Sequence, residues 1–229
     1  MKNPSQIVAI AIVVAYLLAG MVGHDPWKQD EAYTFGMVLH ILETRDWVVP
    51  TLAGEPFMEK PPLYYITAAA TARLASPWLP LHDGARLASV LYVGLAIACT
   101  ALAARKLFGR GRGTVAALLL AGCLGLAPQA HELITDTALF AGFAIALWGL
   151  AWALERPIFA GVVTGTGVGI GIMSKGLVEP AMVGLAMIEQ ASTTQSWIAG
   201  VENSSRRARH TCQIASGSTG SVNHGTTLV

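Results

Sequence analysis

The sequence predicts an all-α membrane protein with several spans, and composition and hydropathy are the observations behind this fold class. The 229 residues are 53% hydrophobic and only 13% charged, whereas soluble domains carry about 25% charged residues. The mean hydropathy is +0.52, and apolar stretches of about 20 residues, the length of a helix that crosses a bilayer, recur along the chain. With a net charge of +1 and no basic stripe, the composition also excludes a nucleic-acid-binding domain.

Five apolar stretches are long enough, or nearly so, to cross a bilayer. They cover residues 7–23, 86–104, 114–131, 137–154 and 158–174. The first follows Lys2 as a signal peptide would, but it lacks a small-residue cleavage site, so we predict a retained first helix. A further apolar stretch starts at Pro180 and ends after about ten residues, too few to span.

The stretch 63–79 is ambiguous, because it is short and carries Arg73. The positive-inside rule places both Lys2 and the basic loop 105–112 in the cytoplasm. An even number of crossings must therefore lie between them, and the first two predicted spans already supply it. We predict that 63–79 does not cross, and that it lies along the outer interface as an amphipathic or re-entrant segment.

This topology makes residues 24–85 the first outer loop and collects polar residues from several loops at the outer face. Three aromatic side chains of the loop, Tyr64, Tyr65 and Trp78, would lie at headgroup depth. The polar residues that collect outside are Asp30, Glu31, Glu59, Lys60, Asp136 and Lys175. Ionisable groups in or near a membrane commonly line a functional cavity, so their convergence indicates one site.

The stretch "GEPFMEKPPLYY" places a charged pair directly before two prolines. Pro61 and Pro62 restrict φ and predict an extended turn, which would hold Glu59 and Lys60 at the membrane surface. A lysine ammonium at that depth suits a lipid phosphate. The alternative is an ordinary interfacial lysine whose charged end reaches toward water.

Each of the other charged candidates also has an ordinary structural explanation. The acidic pair Asp30 and Glu31 could be solvated, or could favour a helix N-terminus by its charge. Asp136 could cap the helix that begins there. Lys175 ends a predicted span, where a cation complements the helix dipole.

Two other features predict structure rather than chemistry. The glycines between Gly161 and Gly171 lie within a span and predict close helix packing, since no phosphate-loop motif accompanies them. Cys99, Cys123 and Cys212 have no spacing that indicates a disulfide framework or a metal site.

The composition changes near Ser192, where the chain becomes rich in Ser, Thr, Gly and Asn. Such a segment cannot bury enough apolar surface to order itself. We therefore predict a membrane region over 1–190 and a disordered or frame-shifted tail over 191–229. A natural disordered tail is the alternative.

The stretch "DEAYTFGMVLHILETRDWVVPTLAGEPFMEKPPLYY", followed by "TD" before one span and "SKG" after another, resembles a known family. It is similar to the first outer loop of bacterial membrane glycosyltransferases of the protein O-mannosyltransferase and aminoarabinose-transferase superfamily. The resemblance covers roughly residues 7–188 and implies a C-type membrane glycosyltransferase fold. Family members continue through further spans and usually a soluble outer domain, so we expect an incomplete copy with little activity of its own.

The resemblance also implies roles for individual residues. Asp30 matches the acid that opens the family's first loop, and we predict Asp30, Glu31 and Glu59 as catalytic residues. Lys60 is the implied contact to the carrier phosphate, with Lys175 as a second cation.

The same resemblance implies a cavity around these groups. The predicted lining residues are Asp136, His131, Tyr64 and Tyr65. His131 departs from an arginine that the family often carries five residues before that aspartate, so its role is open.

The implied reaction is the transfer of a sugar from a polyprenyl-phosphate carrier, by displacement at the anomeric carbon. Lys60 and Lys175 would stabilise the charge on the departing phosphate, and Asp30 would orient or deprotonate the acceptor. No metal ion or other cofactor is expected. The implied partners are the sugar donor, membrane lipids, and a lipid (such as lipid A), protein or glycan acceptor.

The implied location is the bacterial inner membrane, with a cytoplasmic N-terminus and the active site on the outer face. A non-catalytic transporter or lipid-headgroup-binding protein is the alternative function. A transporter would favour internal repeats, and we find none.

Overall fold

The structure is a computed structural model of the chain, and it describes residues 4–178, 180–189 and 192. The chain divides into two compact units, Met1–Val183 and Gly184–Val229. In the second unit, residues 184–189 are helical. The tail predicted over 191–229 lies outside the described residues, apart from Ser192.

The described part of the first unit is mainly helical. In chain order its elements are α1 (Pro4–Leu18), α2 (Gln29–Thr44), β1 (Thr51–Leu52), β2 (Glu55–Pro56), α3 (Leu63–Ala75), α4 (Leu81–Phe108), α5 (Arg112–Ala121), α6 (Leu126–Gln129), α7 (Asp136–Leu150) and α8 (Pro157–Lys175). The central core joins side chains of α2, α3, α4 and α7.

Two of these helices, α4 and α8, are long and apolar enough to cross a membrane. Four shorter apolar helices accompany them, namely Pro4–Leu18, Arg112–Ala121, Asp136–Leu150 and Pro180–Glu189. Many of their large apolar side chains are exposed, including Ile7, Ile10, Val162 and Ile172. A helix that keeps such side chains outside the core has a face suited to lipid. The prediction of an α-helical membrane fold is therefore confirmed, although the described residues do not show five full-length spans.

The largest difference from the predicted spans lies in 114–131. The structure divides this stretch into α5, which ends at Ala121, and the one-turn helix α6. Gly122 and Gly125 lie in the break, and glycine is the weakest helix former after proline. The stretch is mainly apolar, but the helix is interrupted between Ala121 and Leu126.

A short hairpin connects α2 to α3, and the charged pair Glu59 and Lys60 follows it in the chain. Strands β1 and β2 pair antiparallel through a two-residue turn. Ala53 and Gly54 in this turn both have positive φ, at 53° and 88°, as a type I′ turn requires. The chain then runs through Phe57 to Lys60 and enters α3.

Helix α3 corrects two expectations about residues 61–79. Tyr64 and Tyr65 are fully buried in the central core, so their side chains face neighbouring helices and not the lipid headgroups. Pro62 has ψ −6°, and its carbonyl accepts the backbone N–H of Ile66 at 3.0 Å. The second proline therefore begins the helix instead of extending the turn, which proline tolerates because it needs no donor there.

Helices α7 and α8 pack backbone to backbone. A Cβ atom on Gly167 would lie 2.5 Å from both the Ala146 nitrogen and the Gly142 oxygen. Gly161, Gly165 and Gly169 have open space at the same position. Close packing through the α8 glycines is confirmed for Gly167, whose missing side chain allows the approach.

Candidate functional site

A cavity of about 420 Å³ lies where the hairpin exit, the start of α3 and the end of α8 meet. It is lined by Val48, Val49, Pro50, Phe57, Met58, Glu59, Lys60, Pro61, Pro62, Lys175 and Gly176. The fold thus brings Glu59, Lys60 and Lys175 to one cavity, although Lys60 and Lys175 are more than a hundred residues apart in sequence. We call this space the two-lysine pocket.

Lys60 is held by a tyrosine of α2. Its ammonium donates to the Tyr33 phenol oxygen at 2.5 Å and lies 5.2 Å from the centre of the Tyr33 ring. Since the phenol oxygen accepts from Lys60, its own proton is free to point elsewhere.

Asp30, one turn earlier on α2, is the neighbour that can take this proton. Burial raises the pKa of Tyr33, and a hydrogen bond to Asp30 raises it further, whereas Lys60 acts in the opposite direction. The phenol therefore stays protonated at neutral pH. Asp30, Tyr33 and Lys60 form a polar chain from the exposed start of α2 to the two-lysine pocket.

Lys175 reaches the pocket from the last turn of α8 and pairs with Asp136. Asp136 is in the first turn of α7, so each charge also matches the dipole of its own helix. The flanking threonines provide no N-terminal side-chain cap, and Thr137 instead donates to the Ile134 carbonyl at 2.9 Å. The ion pair joins the facing ends of two antiparallel helices.

Glu31 belongs to a different environment from Asp30. Its Oε1 atom accepts from Arg86 Nε at 2.9 Å and from the Leu133 backbone at 3.2 Å. Arg86 is completely buried and also donates to Asp83 Oδ1 at 2.8 Å and to the His24 carbonyl at 2.6 Å. The structure places Glu31 in a buried ion cluster that joins α2, α4 and the 131–135 turn.

Tyr64 and Tyr65 are not among the residues that line the two-lysine pocket; both are buried in the central core. Ser89 donates its hydroxyl proton to the Glu132 carbonyl at 2.6 Å, so the 2.6 Å contact between Tyr64 and Ser89 has the phenol as donor. Burial raises the pKa of both phenols. The Tyr65 hydroxyl has no hydrogen-bond partner among the described residues, and its ring meets Phe57 edge to face at 6.1 Å.

His131 lies away from the two-lysine pocket. One ring nitrogen is 2.8 Å from the Ala127 carbonyl and the other is 2.9 Å from the Tyr16 carbonyl. The ring therefore ties α1 to α6. The geometry does not bring His131 to Lys60 or Lys175.

Three features of this region were not predicted from sequence: Tyr33, Arg86 and the pair formed by Lys28 and Glu132 at 2.5 Å. Two signals were available. Tyr33 follows Asp30 by three positions, the spacing that makes neighbours on a helix. Arg86 opens a predicted span, and an ionisable residue there is a functional or structural site by default.

The described residues contain no group of three or more His, Cys, Asp or Glu side chains that could hold a metal ion. The expectation that the reaction needs no metal ion stays a prediction.

Comparison with known proteins gives a family and several relatives. Residues 59–200 match the model of the dolichyl-phosphate-mannose-protein mannosyltransferase family. An undecaprenyl phosphate-alpha-4-amino-4-deoxy-L-arabinose arabinosyl transferase of Pseudomonas savastanoi pv. phaseolicola is 29% identical over 184 residues, which cover 75% of this chain and 32% of the relative. The undecaprenyl phosphate-alpha-4-amino-4-deoxy-L-arabinose arabinosyl transferase 2 of Pseudomonas fluorescens strain Pf-5 is 28% identical over 186 residues, which cover 77% of this chain and 31% of the relative.

Two solved structures share the fold. ArnT from Cupriavidus metallidurans bound to undecaprenyl phosphate has a TM-score of 0.76 at 22% identity, over 86% of this chain and 37% of that protein. The apo form has a TM-score of 0.75 at the same identity, over 84% and 36%. The chain thus spans about a third of the length of the proteins it matches.

Proposed function

The chain belongs to the dolichyl-phosphate-mannose-protein mannosyltransferase family, and on this premise we propose that it forms the donor-binding part of a polyprenyl-phosphate-dependent glycosyltransferase. The observation that carries the proposal is the meeting of Lys60 and Lys175 in one pocket. The names of the relatives, which refer to undecaprenyl phosphate, support this class of carrier.

Two lysines suit the phosphate of such a donor. A lysine ammonium is a compact charge with three donors, and two of them can neutralise a phosphodiester and then the phosphate monoester that leaves. Charge on the leaving oxygen grows during the reaction, and preorganised cations stabilise this developing charge more than the ground state. Tyr33 and Asp136 hold the two lysines before the donor arrives.

In the transfer, one bond to the anomeric carbon forms and another breaks. An acceptor oxygen bonds to this carbon, and the bond to the phosphate oxygen breaks. The electron pair leaves with the polyprenyl phosphate, and the acceptor proton passes to a base. Asp30 is the proposed base, because it is exposed on α2 and is linked through Tyr33 to the phosphate-binding Lys60.

Glu59 and Glu31 take different parts in this proposal. Glu59 is exposed at the two-lysine pocket, where it can orient the acceptor or Lys60. Glu31 is 1% exposed, and we assign it to holding α2, and with it Asp30, against α4. We therefore propose that Glu31 is a positioning residue, in place of the catalytic role predicted from sequence.

We further propose that the two-lysine pocket opens on the outer face of the inner membrane. Arg86, near the pocket end of α4, and Arg105, in the last turn of α4 where the basic stretch begins, are about 28 Å apart along the helix axis at about 1.5 Å per residue. This distance approaches the roughly 30 Å hydrocarbon core. A cytoplasmic basic loop then leaves the two lysines on the other side.

Binding of undecaprenyl phosphate to the purified chain in detergent, followed by native mass spectrometry, tests the proposal. We expect Lys60→Ala and Lys175→Ala each to weaken binding about tenfold or more, since each removes a charge-assisted contact. Lys106→Ala is the matched control. Lys106 pairs with Glu155 and lies over Trp152, outside the pocket, so its loss should leave the affinity unchanged.

Equal binding by all four proteins would reject the proposed phosphate site. If the Lys106 variant also lost binding, general charge attraction would explain the weaker binding of the pocket variants, and the proposed phosphate site would lose its support. Transfer from an undecaprenyl-phosphate-linked sugar, measured in one of the longer relatives with the corresponding substitutions, separates catalysis from headgroup binding alone.

A further inference from the structure

A second cavity system lies at the opposite end of α4 from the two-lysine pocket. An apolar groove of about 380 Å³ runs between α1, α4 and α5, with Ile10, Val13 and Gly94 among its lining residues. It shares Ala98, Ala101 and Arg105 with an adjoining polar crevice of about 810 Å³. We call the two together the α1–α5 crevice.

The chemistry of the crevice changes along its length. The polar part is lined by Gln6, Arg105, Arg110 and Thr114, whereas the groove is mainly apolar. Within the described ranges, neither Arg105 nor Arg110 forms an ion pair. Both arginines are exposed, so two positive charges with no acidic partner among the described residues border an apolar channel.

The position of the arginines is fixed by helix packing. A Cβ atom on Gly113 would lie 2.5 Å from the Ala101 carbonyl oxygen, so the first turn of α5 rests directly on α4. The tight connection Gly109–Gly111, with φ of 92° and 93° at its two glycines, leads into this contact. Arg110 is thereby held beside the mouth of the groove.

The length of the groove matches one leaflet. From Gly94 to Arg105, α4 rises about 17 Å, slightly more than half of the roughly 30 Å hydrocarbon core. A molecule with an anionic head beside the arginines and an apolar chain beside Gly94 would satisfy both parts of the crevice. Basic pockets between membrane helices on the cytoplasmic side bind anionic lipid headgroups.

We propose that the α1–α5 crevice binds an anionic phospholipid of the cytoplasmic leaflet. Its phosphate lies between Arg105 and Arg110, and one acyl chain lies along α1 and α4. The site is distinct from the two-lysine pocket and shares no residue with it. It therefore stands or falls independently of the proposed transfer activity.

Native mass spectrometry of the full chain in detergent tests the proposal with phosphatidylglycerol and phosphatidylcholine of identical acyl chains. We expect phosphatidylglycerol to bind more tightly. Arg105→Gln and Arg110→Gln should each weaken its binding about fivefold. Arg112→Gln is the matched control, because Arg112 is an exposed arginine at the start of α5 that lines neither cavity.

The apolar half has its own test. Ala98 is exposed and lines both cavities, so Ala98→Leu should fill the channel without disturbing the core and should weaken phosphatidylglycerol binding. Soluble glycerol phosphate should bind far more weakly than the intact lipid. Equal binding of the two lipids, an equal loss in the Arg112 variant, or full competition by glycerol phosphate would each overturn the proposal.

Discussion

The ammonium group of Lys60 donates to the phenol oxygen of Tyr33 at 2.5 Å, so a residue of α2 holds the cation that lines the two-lysine pocket. Without this contact, Lys60 must lose side-chain freedom when the donor binds, a cost of about 0.5–1.5 kcal/mol. The contact also links Lys60 to Asp30 through one phenol.

We therefore expect Tyr33→Phe to weaken undecaprenyl phosphate binding by about threefold to tenfold, with little change in thermal stability. The measurement is a binding titration in detergent. Tyr92→Phe is the control, since the Tyr92 hydroxyl contacts Thr67 at 2.8 Å, away from the pocket. Unchanged or tighter binding by Tyr33→Phe would contradict preorganisation of Lys60.

We expect substitution of Glu31 and substitution of Glu59 to change the stability of the protein by different amounts. Glu31→Gln leaves the buried Arg86 charge with one carboxylate fewer, and loss of a partner from a buried pair costs about 3–5 kcal/mol. Glu59→Gln changes an exposed side chain and should stay within about 0.5 kcal/mol. Thermal unfolding in detergent measures both, and equal melting temperatures would refute the structural assignment of Glu31.

Asp46 organises the loop that forms one wall of the two-lysine pocket. Its Oδ1 atom accepts the backbone N–H groups of Val48 at 3.0 Å and Val49 at 3.1 Å, and these bonds lower the pKa of the carboxyl below 3.8. Because the folded pKa is depressed, the stabilisation is present above pH 3.8 and is lost as the pH falls through the folded value.

We expect an NMR titration of Asp46 to give a midpoint below 3.8. At neutral pH, Asp46→Ala should speed hydrogen exchange at Val48 and Val49. Asp46→Asn, which keeps an acceptor oxygen, should restore part of the protection. Glu55→Ala, on the neighbouring hairpin, serves as the control, and equal exchange rates in all variants would exclude this role of Asp46.

The parts that could be predicted from sequence are those fixed by local chemistry. The predicted span 158–174 matches α8 to within a residue at each end, since Pro157 suits a first turn and Gly176, with φ 74°, ends the helix. The motif at Lys60 likewise indicated a pocket residue. The burial of Tyr64 and Tyr65 was not predictable, because an aromatic pair looks the same whether it faces lipid or another helix.

The buried start of α4 was missed for a related reason. His82 and Asp83 are polar, so hydropathy began the predicted span only at Arg86, yet the helix starts at Leu81. The burial of Arg86 depends on its pairing with Glu31, which is distant in sequence. Pairing of this kind is a tertiary property, and no local pattern encodes it.

The α7–α8 contact offers a matched pair of glycine substitutions. Gly167→Ala would place a Cβ atom against the backbone of Ala146 and Gly142, and such overpacking costs about 1–3 kcal/mol. Gly165→Ala has open space and should be neutral or slightly stabilising, because alanine favours helix by about 1 kcal/mol. Thermal unfolding of both variants in detergent checks this, and a more stable Gly167 variant would contradict the close approach.

The last prediction concerns which side of the membrane each end of α4 faces. Met58 lines the two-lysine pocket and is 85% exposed, and Phe108 adjoins the basic loop and is 72% exposed. In a background in which Cys99, Cys123 and Cys212 are replaced by serine, we place a single cysteine at one position or the other. A membrane-impermeant maleimide on intact cells should label Met58→Cys and spare Phe108→Cys.

The expectation follows from distance and charge together. The two ends of α4, Leu81 and Phe108, are about 40 Å apart along the helix axis at about 1.5 Å per residue. This is more than the roughly 30 Å hydrocarbon core, so the two ends lie at opposite surfaces if the helix crosses. The arginines and lysine beside Phe108 favour the cytoplasm. Permeabilised cells should label both positions, which controls for access. Labelling of Phe108→Cys alone in intact cells would show that the orientation is the opposite of the proposed one. Labelling of both positions would show that α4 does not span.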